Sequence, residues 1–206
     1  LPFPNRPMPD TSPLSARARN TQPFYAVEIY RQALERAAAG QTILMCVGEP
    51  DFPTPRRVID AAYAALLRGE THYTMPLGIP PLRAAIAEHY ASRYHVSVDP
   101  SRIVVTVGAS AALTLAVGAT VDPGDEVLVA DPGYPSYRAA LTWSDGAARL
   151  IPVDASTRYQ LTAASIAANW TPRTRAVIVA SPANPTGVTI EPGDLAEIAR
   201  AVRAQG

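Results

Sequence analysis

The chain contains no lysine. All 18 of its Lys-plus-Arg residues are arginines, so no side-chain amine is present to condense with a carbonyl group. Its single cysteine, Cys46, cannot form an internal disulfide. An excess of either charge is also missing: 18 acidic residues balance the arginines. No basic field therefore favours nucleic acid, and no polybasic run favours an anionic membrane. Apolar runs fall short of the ~18 to 20 residues that a membrane helix needs, and the longest, 109–121, carries Ser110 and Thr114. The opening LPFPNRPMPD has neither the charged nor the apolar region of a secretory leader, which predicts a cytoplasmic location. His72, His89 and His95 show no metal-ligand spacing with Cys46. A GxSxG nucleophile elbow and a GxGxxG dinucleotide loop are both absent. These exclusions leave a small molecule as the expected ligand.

The 206 residues, 48% of them hydrophobic, suffice for a sizeable core. Residues 1–23 are proline-rich, which predicts a helix-free, extended arm. FYAVEIYRQALERAAA (24–39) repeats its apolar residues at helical spacing and ends before Gly40, which predicts an amphipathic helix. TILMCVG (42–48) reads as a short strand. Helices are expected over 56–68 and 80–94, the second with Pro80 and Pro81 in its first turn. Strands and helices then alternate: RIVVTV (102–107), EVLVAD (126–131), ARLIPV (148–153) and RAVIVA (175–180) as strands. Helices are expected over 109–120, 135–144, 162–169 and 191–204. This alternation predicts an α/β fold with a mostly parallel sheet flanked by helices. Ligands in such folds collect at the carboxyl ends of the strands.

Three strand-end turns carry chemistry. In VGAS, Gly108 permits a tight backbone path and Ala109 and Ser110 open a helix, whose start and dipole favour a phosphate. An ordinary strand-to-helix turn capped by Ser110 is the alternative. DPGYPSY holds Tyr134 between Gly133 and Pro135, where its ring could stack on a flat ligand or pack on the turn. SPANPTG places Asn184 before a proline, which restricts it to extended backbone and projects its side chain from the strand end; a plain Asn-Pro turn also accounts for it. Together the turns would offer a phosphate donor, a stacking face and a hydrogen-bond donor at one end of one sheet. That set suits a phosphorylated aromatic cofactor.

VGEPDFPTP, HYTMPLGIPPLRAAIAEHY, TVGASAALTLA, DPGYPSYRAA and SPANPTG resemble, in order and spacing, the class I/II aminotransferases of the fold-type-I pyridoxal-phosphate superfamily. The resemblance runs from Phe24 onward. It implies that Ala109 and Ser110 hold the cofactor phosphate, that Tyr134 stacks on the pyridine ring, and that Asn184 donates to the cofactor's phenolic oxygen across a cis Asn184–Pro185 bond. Gly48 resembles the glycine beside the substrate carboxylate. Tyr73 resembles a tyrosine that reaches the neighbouring subunit's phosphate, which implies a homodimer. The implied domains are 1–46, an arm and the first segment of the small domain, and 47–206, the N-terminal part of the cofactor-binding large domain. The implied cofactor is pyridoxal phosphate, and the implied substrates are an amino acid and a 2-oxo acid.

The family's reaction belongs to a lysine that attaches covalently to the cofactor and shuttles a proton, aided by an aspartate under the ring nitrogen and an arginine on the substrate carboxylate. None of the three has a counterpart in these 206 residues, so the chain is expected to be an incomplete portion of such an enzyme, inactive by itself. A lyase or synthase of the same fold, or a catalytically inactive binding module, is the alternative function, because the turns bind cofactor without choosing the reaction.

Overall fold

The computed structural model describes residues 13–40 and 43–206. They form two compact units, one containing Phe24–Val107, the other Gly108–Gly206 together with the N-terminal segment.

That segment contains a short helix, α1 (Ala16–Asn20), which corrects the expectation of a helix-free arm. Pro13 and Pro23 leave nine intervening residues without a proline, enough for one turn and a half. Ser15 caps it, its hydroxyl accepting from the Ala18 amide at 3.3 Å. Arg17 joins it to Asp145 of the same unit at 2.8 Å. The rest of the predicted arm, residues 1–12, lies outside the described residues.

In the unit Phe24–Val107, helices α2 (Tyr25–Ala38), α3 (Arg56–Leu67) and α4 (Pro80–Tyr94) form where the apolar spacing predicts them. On α2, Arg31 bridges Glu28 and Glu35 at 2.7 and 2.6 Å. Helix α4 starts on its two prolines and ends at His95, which adopts the left-handed conformation with φ 56°. Two expected strands do not form. Thr42 of TILMCVG lies outside the described residues, and 43–47 are irregular, with Ile43 87% and Met45 90% exposed. RIVVTV begins in a 3-10 turn (Pro100–Arg102), and 103–107 make no ladder. Ile103 has extended backbone, φ −102° and ψ 125°, but a strand also needs a hydrogen-bonded neighbour. The Val105 amide donates to the Leu77 carbonyl at 3.0 Å, without a strand partner alongside among the described residues. Val107 is left 95% exposed.

The unit Gly108–Gly206 contains helix α5 (Gly108–Thr120), strand β1 (Glu126–Asp131), helix α6 (Pro135–Trp143), strand β2 (Ala147–Pro152), helix α7 (Ala163–Asn169), strand β3 (Thr174–Ile178) and helix α8 (Pro192–Arg203). The strands form a parallel sheet in the order β2-β1-β3. β1 is central and its side chains alternate between two cores, as the two-residue period of a strand requires. Leu128 packs on one face with Ile166 of α7 and Ile198 of α8. Val127 and Val129 pack on the other with Val117 of α5 and Leu141 of α6. At the amino end of the sheet, buried Glu126 accepts from Arg173 at 2.5 Å and from the Thr171 hydroxyl at 2.9 Å, with Arg149 of β2 at 3.8 Å. One carboxylate thus joins the segments on both sides of the central strand.

Candidate functional site

The connections determine where the sheet opens. The chain leaves β1 into α6 on one face and leaves β3 into α8 on the other. Two adjacent parallel strands whose following segments diverge to opposite faces leave a crevice between their carboxyl ends, the usual ligand position in open α/β sheets. A small hollow occupies this place, lined among others by Pro132, Gly133 and Tyr137 after β1, and by Val179 and Asn184 after β3.

On the β1 side the chain turns through a cis Asp131–Pro132 bond into Gly133 and Tyr134. A Cβ on Gly133 would stand 2.4 Å from the Ala130 carbonyl oxygen, so the turn has room for glycine alone. Tyr134 occupies the N-cap position of α6, and its ring meets Tyr137 edge-on at 5.6 Å. Arg138 donates to Asp131 at 3.0 Å, pairing the carboxylate nearest the turn.

On the β3 side, Ser181–Pro182 and Asn184–Pro185 are both cis, the second as the sequence resemblance predicts. The loop is tied internally: the Ala183 amide donates to the Val188 carbonyl at 2.9 Å and the Gly187 amide to the Ala183 carbonyl at 2.7 Å. The Ile190 amide donates to the Ser181 hydroxyl at 2.9 Å. Gly187 takes φ +72°, as the tight return requires. Asn184 is exposed, and its side-chain amide makes no hydrogen bond to the described residues. Thr186 adds a buried hydroxyl with no partner among them.

The start of α5 belongs to the same end of the sheet. Thirteen helical residues rise about 20 Å at 1.5 Å each, and six strand residues cover about the same length at 3.3 Å each. A five-residue link, 121–125, joins α5 to β1. The helix packs on Val127 and Val129, so it runs back along the strand it precedes. Gly108 (φ +76°), Ala109 and Ser110 consequently stand near the level of Asp131, exposed. Gly48 and Tyr73 belong to the unit Phe24–Val107, where both are exposed.

Residues 41–206 match the profile of the family described as aminotransferase class I and II. The chain belongs to this family. It is 42% identical over 178 residues to a valine–pyruvate aminotransferase of Mycobacterium tuberculosis, covering 86% of this chain and 46% of that protein. To an arginine–pyruvate transaminase of Pseudomonas aeruginosa it is 40% identical, covering 80% of this chain and 42% of that protein. Among solved structures, an aspartate aminotransferase of Thermus thermophilus with maleate superposes with a TM-score of 0.88 at 36% identity, covering 93% of this chain and 50% of that one. As an aminotransferase-family member the chain spans about half the length of the curated relatives it matches. The similarity extends through both units, and the parallel sheet with helices on both faces is the family's fold.

Gln160, which also lines the hollow, carries no motif and was not singled out by sequence reasoning. A glutamine in a turn has no periodicity to mark it, and its partner lies 28 positions away.

Proposed function

We propose that the chain supplies the cofactor-binding half of a pyridoxal-phosphate-dependent aminotransferase that moves an amino group between an amino acid and a 2-oxo acid. What supports this reading is the hollow at the carboxyl ends of β1 and β3, lined by Asn184 and by Gly133, the residue before Tyr134, in a chain of the aminotransferase family. The donor set fits the cofactor. The Ala109 and Ser110 amides and the Ser110 hydroxyl suit a phosphate, worth up to ~2 kcal/mol at a partly buried helix start. The Tyr134 ring, steadied by Tyr137, offers a stacking face. The uncommitted Asn184 amide is a neutral donor for the ring's phenolic oxygen and would favour its charged form. Asp131, the nearest carboxylate of the β1 turn, is already paired with Arg138 and does not repel the phosphate unopposed.

Pyridoxal phosphate, when bound, supplies an electron-withdrawing ring that stabilises charge on the substrate carbon. This chain's residues bind and orient it. Gly48 lets the substrate carboxylate approach, and Tyr73 reaches the partner's phosphate in a homodimer. On this reading 1–46 begin the small domain, 47–206 begin the large one, and the enzyme is cytoplasmic. Because the chain has no lysine, the amine that moves the proton is not among its side chains, and the 206 residues alone bind cofactor without transferring an amino group. The relatives' names span valine, arginine and aspartate, so the amino donor stays at the level of its class.

The test is titration of the chain with pyridoxal phosphate, followed by tryptophan fluorescence and by amino-group transfer from a panel of amino acids to pyruvate. Saturable binding without transfer is expected. Ser110→Ala should weaken binding and Ser110→Pro, which removes an amide donor, should abolish it. No saturable binding, or the same affinity in both variants as in the parent chain, would overturn the reading.

A further inference from the structure

We propose that Gln160 is a positioning residue that fixes the aim of Asn184, an inference that rests on the reading of Asn184 as the donor to the cofactor's phenolic oxygen. Gln160 is one of two buried polar residues in the structure's described part, at 9% exposure, and its Nε2 donates to the Val188 carbonyl at 2.6 Å. That carbonyl also accepts from the Ala183 amide, next to Asn184.

The described hydrogen bonds of residues 181–190 are otherwise internal to the loop. Internal bonds preserve the loop's shape without fixing its direction. Ile190 anchors the loop's end in the core, and the Gln160 bond ties its Ala183–Val188 turn, which carries Asn184, to the turn after β2.

The turn that delivers Gln160 is built against its own preferences. Asp154 caps a 3-10 turn (Ala155–Thr157), its carboxylate accepting from the Ser156 amide at 2.8 Å. Arg158 and Tyr159 follow with φ 53° and 54°, two consecutive left-handed residues that are not glycine. Such residues persist where their surroundings over-determine them. Here Leu161 is buried in the core with Ile190, and Arg158 pairs with Asp194 of α8. The strained reversal turns Gln160 inward, where a buried amide must find a partner, and the partner it finds is the loop carrying Asn184.

The experiment uses the 206-residue chain and two probes, pyridoxal phosphate and its 3-deoxy analogue, which lacks the phenolic oxygen. Gln160→Met keeps the length and removes the donor; Gln160→Glu, which presents an acceptor to the same carbonyl, replaces it if the first variant unfolds. Loss of one such bond should weaken pyridoxal phosphate about fivefold and leave the 3-deoxy analogue nearly unchanged. In an Asn184→Ala background the substitution should add nothing. A merely structural role would weaken both probes alike, or add to Asn184→Ala, and either result overturns the positioning role while the cofactor reading stands. If the unaltered chain binds neither probe, the cofactor reading falls and this inference with it.

Discussion

Substituting Gly133 by alanine tests the strand-end geometry directly. The added Cβ would stand 2.4 Å from the Ala130 carbonyl oxygen, against about 3.4 Å for ordinary contact. The obstacle is backbone at the end of the central strand, so the turn must retreat by about 1 Å and take Tyr134 with it. Overpacking of this kind destabilises by about 1 to 3 kcal/mol. For a chain of this size each kcal/mol lowers Tm by roughly 2 to 4 °C, giving a drop of about 2 to 12 °C. Loss of a stacking contact worth about 0.5 to 1.5 kcal/mol should weaken pyridoxal phosphate about two- to twelvefold. Gly193→Ala on α8 is the control: its Cβ meets nothing within 4 Å. It should leave binding unchanged and raise stability by up to about 1 kcal/mol. Differential scanning fluorimetry and a binding titration on both variants give the answer. A Gly133→Ala chain with parental Tm and affinity would refute the close approach and the role built on it.

Glu126→Ala should cost about 2 kcal/mol in urea unfolding, below the full penalty of a broken buried pair because Arg173 is largely exposed and regains water; a change under about 0.5 kcal/mol would contradict the clamp. Gly78→Ala places a Cβ 2.5 Å from Val105 at φ +98°, so it should detach 103–107 from the Leu77 loop and speed exchange of the Val105 amide. On α2, hydrogen bonds from Arg31 and Gln32 lower the Glu28 pKa to about 2 from 4.5. A depressed carboxylate stabilises the fold above its unfolded pKa and loses that contribution as pH falls through the folded one. Helical circular dichroism should therefore decline between pH of about 4.5 and 2, and Glu28→Gln should remove that part of the decline.

What was legible in the sequence follows from where each element finds its stabilisation. Helix α4 and strand β1 carry their own signals, two prolines at a helix start and a continuous apolar run, and both occur over the residues expected. RIVVTV carries an equally strong apolar signal, but a strand is a relation between segments, and 103–107 have no ladder among the described residues. The proline-rich arm misled in the other direction, because a proline-free interval of a few residues holds α1 once Ser15 caps it. At the site, Tyr134 and Asn184 were legible as turn residues beside Gly and Pro. The cis Asn184–Pro185 bond followed from family resemblance, whereas cis Asp131–Pro132 and Ser181–Pro182 were not anticipated. Gln160 left no local trace, since its role depends on a carbonyl contributed by a different loop.

The Glu126 cluster and the loop residues Tyr134 and Asn184 sit at opposite ends of the same strands. Five strand steps of about 3.3 Å separate Glu126 from Asp131 by about 17 Å, beyond the ~7 to 10 Å within which substitutions usually couple. Changes at the two ends should therefore combine additively. A lineage could retune the loops for a new ligand while the arginine–glutamate clamp varies separately, so drift in one leaves the other's history unconstrained.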